Sequence, residues 1–302
     1  MLRFLTAGES HGPELTAIVE GLPAGLRIDR QELNHQMARR QKGYGSGGRM
    51  KIEKDAVQIT AGVMDGKTTG APIAIRLPNK DYVKWRDRDI PPMTIPRPGH
   101  ADLTGALKYG YHELRLSLER ASARETAARV AIGAICKQLL SALGVTIGSY
   151  VVRIGVVSAD IPANMPYPER FKIAETNDVR CPIPEAAELM RTHIRQIMEA
   201  KDTLGGLFEV VGLGVPPGLG SYVHWDRRLD ARLLWSVGSI HAIKGVEIGP
   251  AFDNATRPGS EVHDEIFLDE DKALIRHTNN SGGFEGGITT GEPVIVRAAM
   301  KP

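Results

Sequence analysis

Apolar side chains along this chain recur at two spacings, and polar residues mark where one spacing gives way to the other. At Ile28-Asp29-Arg30-Gln31-Glu32-Leu33, an Asp-x-x-Glu capping pattern coincides with Ile28 and Leu33 at hydrophobic-staple positions. This predicts a helix over about 30–40, which delivers Arg39 and Arg40 into the glycine-rich Gly43-Tyr44-Gly45-Ser46-Gly47-Gly48. Ser122-Ala123-Arg124-Glu125 reads as a second capping box. It opens an alanine-rich stretch ending at Gly144, with Ala127, Val130, Ala131, Ala134, Ile135 and Leu139 as an apolar stripe. Helices are also predicted over 184–201, with Met190, Ile194, Ile197 and Met198 on one face, and over 226–239, with Leu229, Leu233 and Val237 on one face. Strand-like runs occupy 15–19, 56–60, 72–77, 150–157, 207–213, 261–268 and 293–298. The elements do not alternate as regular βαβ units, so the pattern predicts an α+β layered arrangement. With no low-complexity linker and no periodic repeat, residues 1–302 read as one domain.

The segment 279–302 adds candidate chemistry. Gly282, Gly283, Gly286, Gly287 and Gly291 fall within ten residues and run into the apolar stretch 293–300. Without Cβ atoms, such a loop lets backbone N–H groups approach a flat ring or an anion. Two other glycine patterns carry less. Gly62-Val63-Met64-Asp65-Gly66-Lys67-Thr68 is one residue short of a phosphate-binding loop, and Gly70, Ala71 and Pro72 forbid the helix that must follow. Gly43-x-Gly45-x-x-Gly48 fits a dinucleotide pattern on paper but follows a predicted helix instead of a strand.

Composition narrows the class. At 42% hydrophobic and 25% charged residues the chain reads as a soluble globular protein, and no apolar run approaches the roughly 20 residues needed to span a bilayer. The start, MLRFLTAGESHG, lacks the apolar core of a signal peptide. Cys136 and Cys181 lie far apart without a C-x-x-C partner, which favours free thiols over a disulfide or a metal site, and a cytoplasmic location. A net charge of +2 argues against a general nucleic-acid binder. Locally, however, Arg39, Arg40, Lys42, Arg49, Lys51 and Lys54 surround one glycine run, and Arg97, Arg115, Arg120, Arg124 and Arg129 follow. Converging guanidiniums suit a small, multiply charged anion, and the alternative is a solvated basic face.

Two histidines occupy settings built for chemistry. Gly8-Glu9-Ser10-His11-Gly12-Pro13 holds an imidazole between glycines just before a strand, and Arg97-Pro98-Gly99-His100-Ala101-Asp102 holds another in a stiff turn with an anion-binding arginine and an orienting carboxylate. Arg120-Ala121-Ser122 lies where the long helix begins, a position suited to anions as well as to simple capping.

Seven motifs taken in order, GESHGP at 8–13, RRQKGYG at 39–45, RPGHAD at 97–102, SARETAARVAIGA at 122–134, DTLGG at 202–206, IKGVEIG at 243–249 and NNSGGFEGGITTGEP at 279–293, make the chain resemble chorismate synthases along its whole length. The resemblance implies a lyase of the shikimate pathway, serving aromatic amino acid biosynthesis. Such enzymes convert 5-enolpyruvylshikimate 3-phosphate to chorismate and phosphate by 1,4-anti elimination, with reduced FMN and no net redox change. It implies His11 as the acid for the leaving phosphate and His100 as the group that protonates the reduced flavin. It places Arg40, Arg49, Arg97 and Arg124 on the substrate's anionic groups, with Ser10 beside them. Arg120, Ala121, Ser122, His241, Ala242, Gly286, Lys301 and Pro302 match the family's FMN contacts. By the same resemblance the fold is a β-α-β sandwich with helices packed between antiparallel sheets, the assembly is a homotetramer, and NADPH reduces the flavin in some members. Ser46 stands where many members carry arginine, and His241 where Asn or Gln is common. Family members also continue beyond the position of Pro302 into the rest of a flavin loop. The sequence is thus expected to be C-terminally incomplete, and the alternative to an active lyase is a fragment acting only in binding or oligomerisation.

Overall fold

The structure is a computed structural model that describes residues 2–47 and 52–302. Helices and antiparallel sheets are mixed as the sequence pattern indicates, an α+β fold. Contacts divide the chain into two compact units, 1–139 and 140–302.

In the first unit, β1 (Arg3–Ala7), β2 (Glu14–Glu20), β3 (Gln58–Ala61) and β6 (Ile73–Pro78) form an antiparallel sheet in the order β1-β2-β6-β3. Register explains its core: Leu15, Ala17 and Val19 on β2 lie opposite Leu77, Ile75 and Ile73 on β6, and all six are buried. Because side chains alternate across a strand, this puts them on one face. Leu33 and Met37 of α1 (Arg30–Gln41) and Ala127, Ala131, Ala134 and Ile135 of α4 (Thr126–Ala142) pack against that face. The alanines of α4 let the helix lie close to the sheet.

The first capping pattern is half realised. Asp29 caps α1 by accepting from Gln31 N–H at 2.7 Å, and Ile28 and Leu33 are both buried as a staple requires. Glu32, however, bonds Gln36, and the Asp29 N–H is satisfied by Gln138 of α4. The box at Ser122 is likewise partial: its Oγ caps Arg124 N–H through a 3-10 turn over Ala123–Glu125, while the Glu125 carboxylate takes Thr6 and Arg129. The rejected phosphate-loop pattern is a small hairpin of β4 (Val63–Met64) and β5 (Lys67–Thr68), turning through Asp65 and Gly66 at positive φ.

Two short helices, α2 (Asp102–Tyr109) and α3 (Arg115–Ala121), escape the periodicity. At Gly105 of α2 a Cβ would lie 2.5 Å from Ser117 Oγ of α3. The glycine is therefore the close contact between the two helices.

In the second unit, β7 (Thr146–Ile154), β8 (Val157–Ser158), β9 (Gly206–Leu213), β10 (Ile243–Ile248) and β15 (Val294–Met300) form an antiparallel sheet ordered β10-β15-β9-β7-β8. Tyr150, Ala174, Val211 and Ile295 are its core, with α5 (Tyr167–Ala174) laid on β7. Gly148 makes that possible, because a Cβ there would meet the Phe171 ring at 2.3 Å. Helix α6 (Pro184–Glu199) buries Ala186, Ala187 and Met190, whereas Met198, expected on the same face, is exposed. Helix α7 (Leu229–Gly238) starts three residues later than expected, after a 3-10 turn over Trp225–Arg227.

The strand expected over 261–268 is overturned in its first half. Residues 259–262 make a helical turn behind Pro258, closed by the His263 N–H to Gly259 C=O bond, and only β11 (Ile266–Leu268) is extended, paired with β12 (Leu274–Arg276). The glycine-rich end folds as a hairpin of β13 (Phe284–Glu285) and β14 (Ile288–Thr289) leading into β15. Gly286 and Gly287 form its two-residue turn, with φ of 57° and 85°, a conformation open to glycine at little cost.

Candidate active site

The loop between β1 and β2 is tight because Gly8 sits at φ 113°, where a Cβ would lie 2.6 Å from the Glu14 carbonyl oxygen. This presents Ser10 and His11 from a fixed backbone. Asn79, at the end of β6, secures the loop from below: its Nδ2 donates to the carbonyls of Glu9, Ser10 and Gly12, the last at 2.8 Å. Helix α3 secures it from the side. The Glu119 carbonyl accepts from Ser10 N–H, and its carboxylate accepts from His11 N–H at 2.7 Å and meets His11 Nδ1 at 2.8 Å. Trp85 packs against the imidazole with ring centroids 4.2 Å apart and the planes tilted by 39°.

A carboxylate is acceptor-only, so the His11 tautomer follows: Nδ1 carries the proton. Burial alone would raise the Glu119 carboxyl, but the His11 ring and backbone N–H bonds outweigh it and hold the group below the usual carboxylate range. Among the described residues Nε2 of His11 has no hydrogen-bond partner. It is the ring atom available for proton transfer.

Beside this loop lies a buried ion cluster. Arg124 Nε donates to Asn79 Oδ1 at 2.9 Å and Nη1 to Asp55 Oδ2 at 2.8 Å. Its Nη2 faces Asp55 Oδ1 at 2.8 Å as an ion pair too bent for a second hydrogen bond, and Glu53 lies 3.8 Å away. Arg40 approaches Asp55 at 3.6 Å and donates to Thr126 Oγ1. Glu53 also caps the 3-10 turn over Lys80–Lys84 by accepting from Lys80 and Asp81 N–H, and Asp81 in turn accepts from the Trp85 indole. The cluster therefore holds the arginines and, through Asp81, orients the ring that packs against His11.

Ser10 is buried and accepts from Ser122 Oγ at 3.0 Å. Arg120 reaches back to the Thr6 carbonyl and hydroxyl, leaving its side chain exposed. The structure thus brings together Ser10, His11, Arg40, Ser122 and Arg124, with Arg120 and Ala121 on the helix that carries Glu119. Arg49 lies outside the described residues, as do Gly48 and Lys51 of the same run.

Arg97, His100 and Asp102 form a separate turn. Asp102 is fully buried and accepts from the Arg97 backbone N–H and guanidinium, while His100 is exposed, with Nδ1 on the Pro98 carbonyl at 3.0 Å. A carbonyl is an acceptor, so Nδ1 again carries the proton. The bonds from Arg97 hold the Asp102 carboxyl below its usual range, against the opposing effect of burial. A depressed folded-state value means that the pair stabilises fully above the ordinary carboxylate pKa of about 3.9 and loses its contribution as pH falls through the folded value. Asp102→Asn is accordingly expected to lower the urea midpoint at pH 7, with the difference from the parent shrinking below about pH 4.

In the second unit the residues matched to a flavin partly converge. The Ala242 carbonyl, on a residue held at φ 67°, accepts from Lys301 N–H at 2.9 Å, which brings His241 and Ala242 to Lys301 and Pro302. Gly205 is the cradle: a Cβ there would lie 2.5 Å from the Met300 carbonyl oxygen and 3.1 Å from Pro302 N. Gly286 is apart from them at the exposed tip of the β13–β14 turn, beside Tyr222.

Sequence reasoning missed Glu119, Asn79, Asp55 and Glu53. Asn79 directly after a strand and the acidic pair flanking Lys54 were visible as residues, but the bonds that give them meaning join positions as far as 108 residues apart.

A clamped imidazole with one ring nitrogen turned away from its carboxylate, on a loop held by Asn79 as is Arg124, is an arrangement suited to enzymatic proton transfer. The family model for chorismate synthase matches residues 2–302. Chorismate synthases from Aquifex aeolicus (strain VF5) and Enterococcus faecalis (strain ATCC 700802 / V583) are 53% and 51% identical, each over all of this chain and 80% of the relative. A crystal structure of a chorismate synthase superposes with a TM-score of 0.88 at 49% identity, covering all of this chain and 85% of that one. The chain belongs to the chorismate synthase family, whose members are carbon–oxygen lyases.

Proposed function

We propose that the chain converts 5-enolpyruvylshikimate 3-phosphate to chorismate and inorganic phosphate by a 1,4-anti elimination that requires reduced FMN. The observation that carries this reading is the His11 ring: Nδ1 is tied to Glu119, Trp85 covers one face, and Nε2 is available to protonate a departing phosphate oxygen. In that step the carbon–oxygen bond breaks with its electron pair on the phosphate, which takes the Nε2 proton. The ring is left neutral. Elsewhere the substrate loses a ring proton, so the overall change is redox-neutral.

The substrate bears two carboxylates and a phosphate, and we assign Arg40, Arg97, Arg124 and Arg49 to them, with Ser10 alongside. Arg40, Arg97 and Arg124 are paired with Asp55 or Asp102, so substrate oxygens share these guanidiniums with protein carboxylates. Sharing keeps the donors oriented before substrate arrives.

The residues fit an FMN in chemistry. Arg120 offers an exposed guanidinium suited to a phosphate, Ala242, Lys301 and Pro302 meet over the Gly205 cradle, and Gly286 offers backbone without a Cβ. Ala121 and Ser122 in the first unit and His241 in the second are matched to the cofactor by family resemblance alone. The chemistry that the cofactor supplies when bound is electron density for the allylic system as phosphate departs. His100, its Nδ1–H on the Pro98 carbonyl, would offer a proton from Nε2 to the reduced ring when the imidazole is in its doubly protonated form. A homotetramer is part of the reading, and exposed Trp225, Trp235 and Phe252 support self-association. No helix among the described residues is long and apolar enough to cross a membrane, and both cysteines are unpaired, which fits our assignment to the cytoplasm and its reducing conditions.

Anaerobic assay with the substrate and FMN reduced by dithionite or NADPH tests this. Phosphate release is expected with reduced FMN and not with oxidised FMN. Equal release with either form, or none with both, contradicts it.

A further inference from the structure

We infer that Glu119 is the positioning residue of His11, fixing the ring's orientation and tautomer so that Nε2 is the proton-donating atom. This rests on the reading of His11 as the acid for the leaving phosphate.

The geometry is specific to one carboxylate. Both oxygens of Glu119 face donors on the same residue, the His11 N–H at 2.7 Å and Nδ1 at 2.8 Å, and the Glu119 carbonyl holds the adjacent Ser10 N–H at 3.1 Å. Backbone and ring are thereby locked to one turn of α3, which removes rotation about the His11 side chain. The Glu119 side chain is mostly buried, so its charge is little screened at the ring. Among the described residues Arg115, on the same helix, is the further charge acting on Glu119, and its guanidinium lies 6.0 Å from the Trp85 ring. Trp85 excludes solvent from one ring face, and its own orientation is set by Asp81.

The chemical consequence follows from proton bookkeeping. With an ionised carboxylate at Nδ1, the imidazolium keeps its Nδ1 proton and gives up the one on Nε2. The phosphate oxygen takes that proton together with the electron pair of the broken carbon–oxygen bond, and the ring returns to the neutral Nδ1–H form. Glutamine cannot substitute. Its amide has one acceptor oxygen for two donors, so either the backbone N–H or Nδ1 faces an NH2 group.

The parent protein provides the first test, through ¹⁵N NMR of the His11 ring, with the resonance assigned by its loss in His11→Gln. The neutral ring is expected as the Nδ1–H tautomer, whereas the Nε2–H tautomer overturns the inference without any Glu119 variant. Glu119→Gln is then expected to populate the Nε2–H tautomer of the neutral His11 ring, because the amide cannot accept from both the backbone N–H and Nδ1 as the two carboxylate oxygens do. It should lower kcat about 10–100-fold with KM little changed, the range typical of groups that orient a reacting side chain. Tautomer and kcat should change together with KM little moved, a pattern that a purely structural contact does not produce. An unchanged Nδ1–H tautomer with unchanged kcat in folded Glu119→Gln overturns the inference. Because the NMR readouts need no substrate, failure of the parent to turn over would count against the proposed function alone.

Discussion

Replacing His11 with alanine is expected to lower turnover about 10²–10⁴-fold, the usual worth of a positioned general acid. The fold should survive, for a structural reason. The backbone of the loop is held independently of the imidazole, by Asn79 Nδ2 on three carbonyls and by Glu119 on the Ser10 and His11 N–H groups. The alanine variant keeps all of these bonds and loses only the ring contacts to Glu119 and Trp85. A denaturation midpoint near the parent's, with turnover collapsed, is the signature of a residue whose work is chemical. Turnover within a few-fold of the parent at pH 7 would remove His11 from the mechanism.

Arg124→Ala should have the largest effect on stability, about 3–5 kcal/mol, because it takes the nearest counter-charge from the buried Asp55 carboxylate. The Asp55 and Glu53 side chains are 0% and 1% exposed, and Arg40 at 3.6 Å from Asp55 is too distant to take over the lost bonds. Asn79 loses its Arg124 partner as well, which couples the damage to the histidine loop. Adding Asp55→Asn to the alanine variant removes one stranded charge and should recover part of the loss, so the two substitutions should be markedly non-additive in urea denaturation. A single variant within about 1 kcal/mol of the parent, or a strictly additive pair, would show that the cluster is not held as described.

Much of this was legible in the sequence where the signal was local. The staple at Ile28 and Leu33, the alanine stripe of α4 and the alternation of β2 and β6 all lie within one element, and each predicts its own burial. His11 and His100 stood out because glycine and proline fix the backbone around them. What could not be read is what closes across the chain: Glu119 on His11, Asn79 under the loop, and Gln138 in place of Glu32 at the Asp29 N–H. Capping boxes were half right for that reason, since a long-range partner took the role of the local one. The helices over 102–109 and 115–121 were not predicted, and Gly105, where they meet, carries no local signal of the neighbour that needs the space.

The glycine-rich end shows both limits together. Its turn at Gly286 and Gly287 follows from the residues alone, whereas the meeting of Ala242 with Lys301 over Gly205 depends on the order of strands in the sheet.

The central claim is a redox-neutral elimination, and product stoichiometry tests it most directly. Under anaerobic conditions with reduced FMN, the account predicts chorismate and inorganic phosphate in equal amounts over many turnovers, with the flavin still reduced at the end. Phosphate without chorismate would mean simple hydrolysis, and flavin oxidised in step with product would mean a net redox reaction; either would contradict the account.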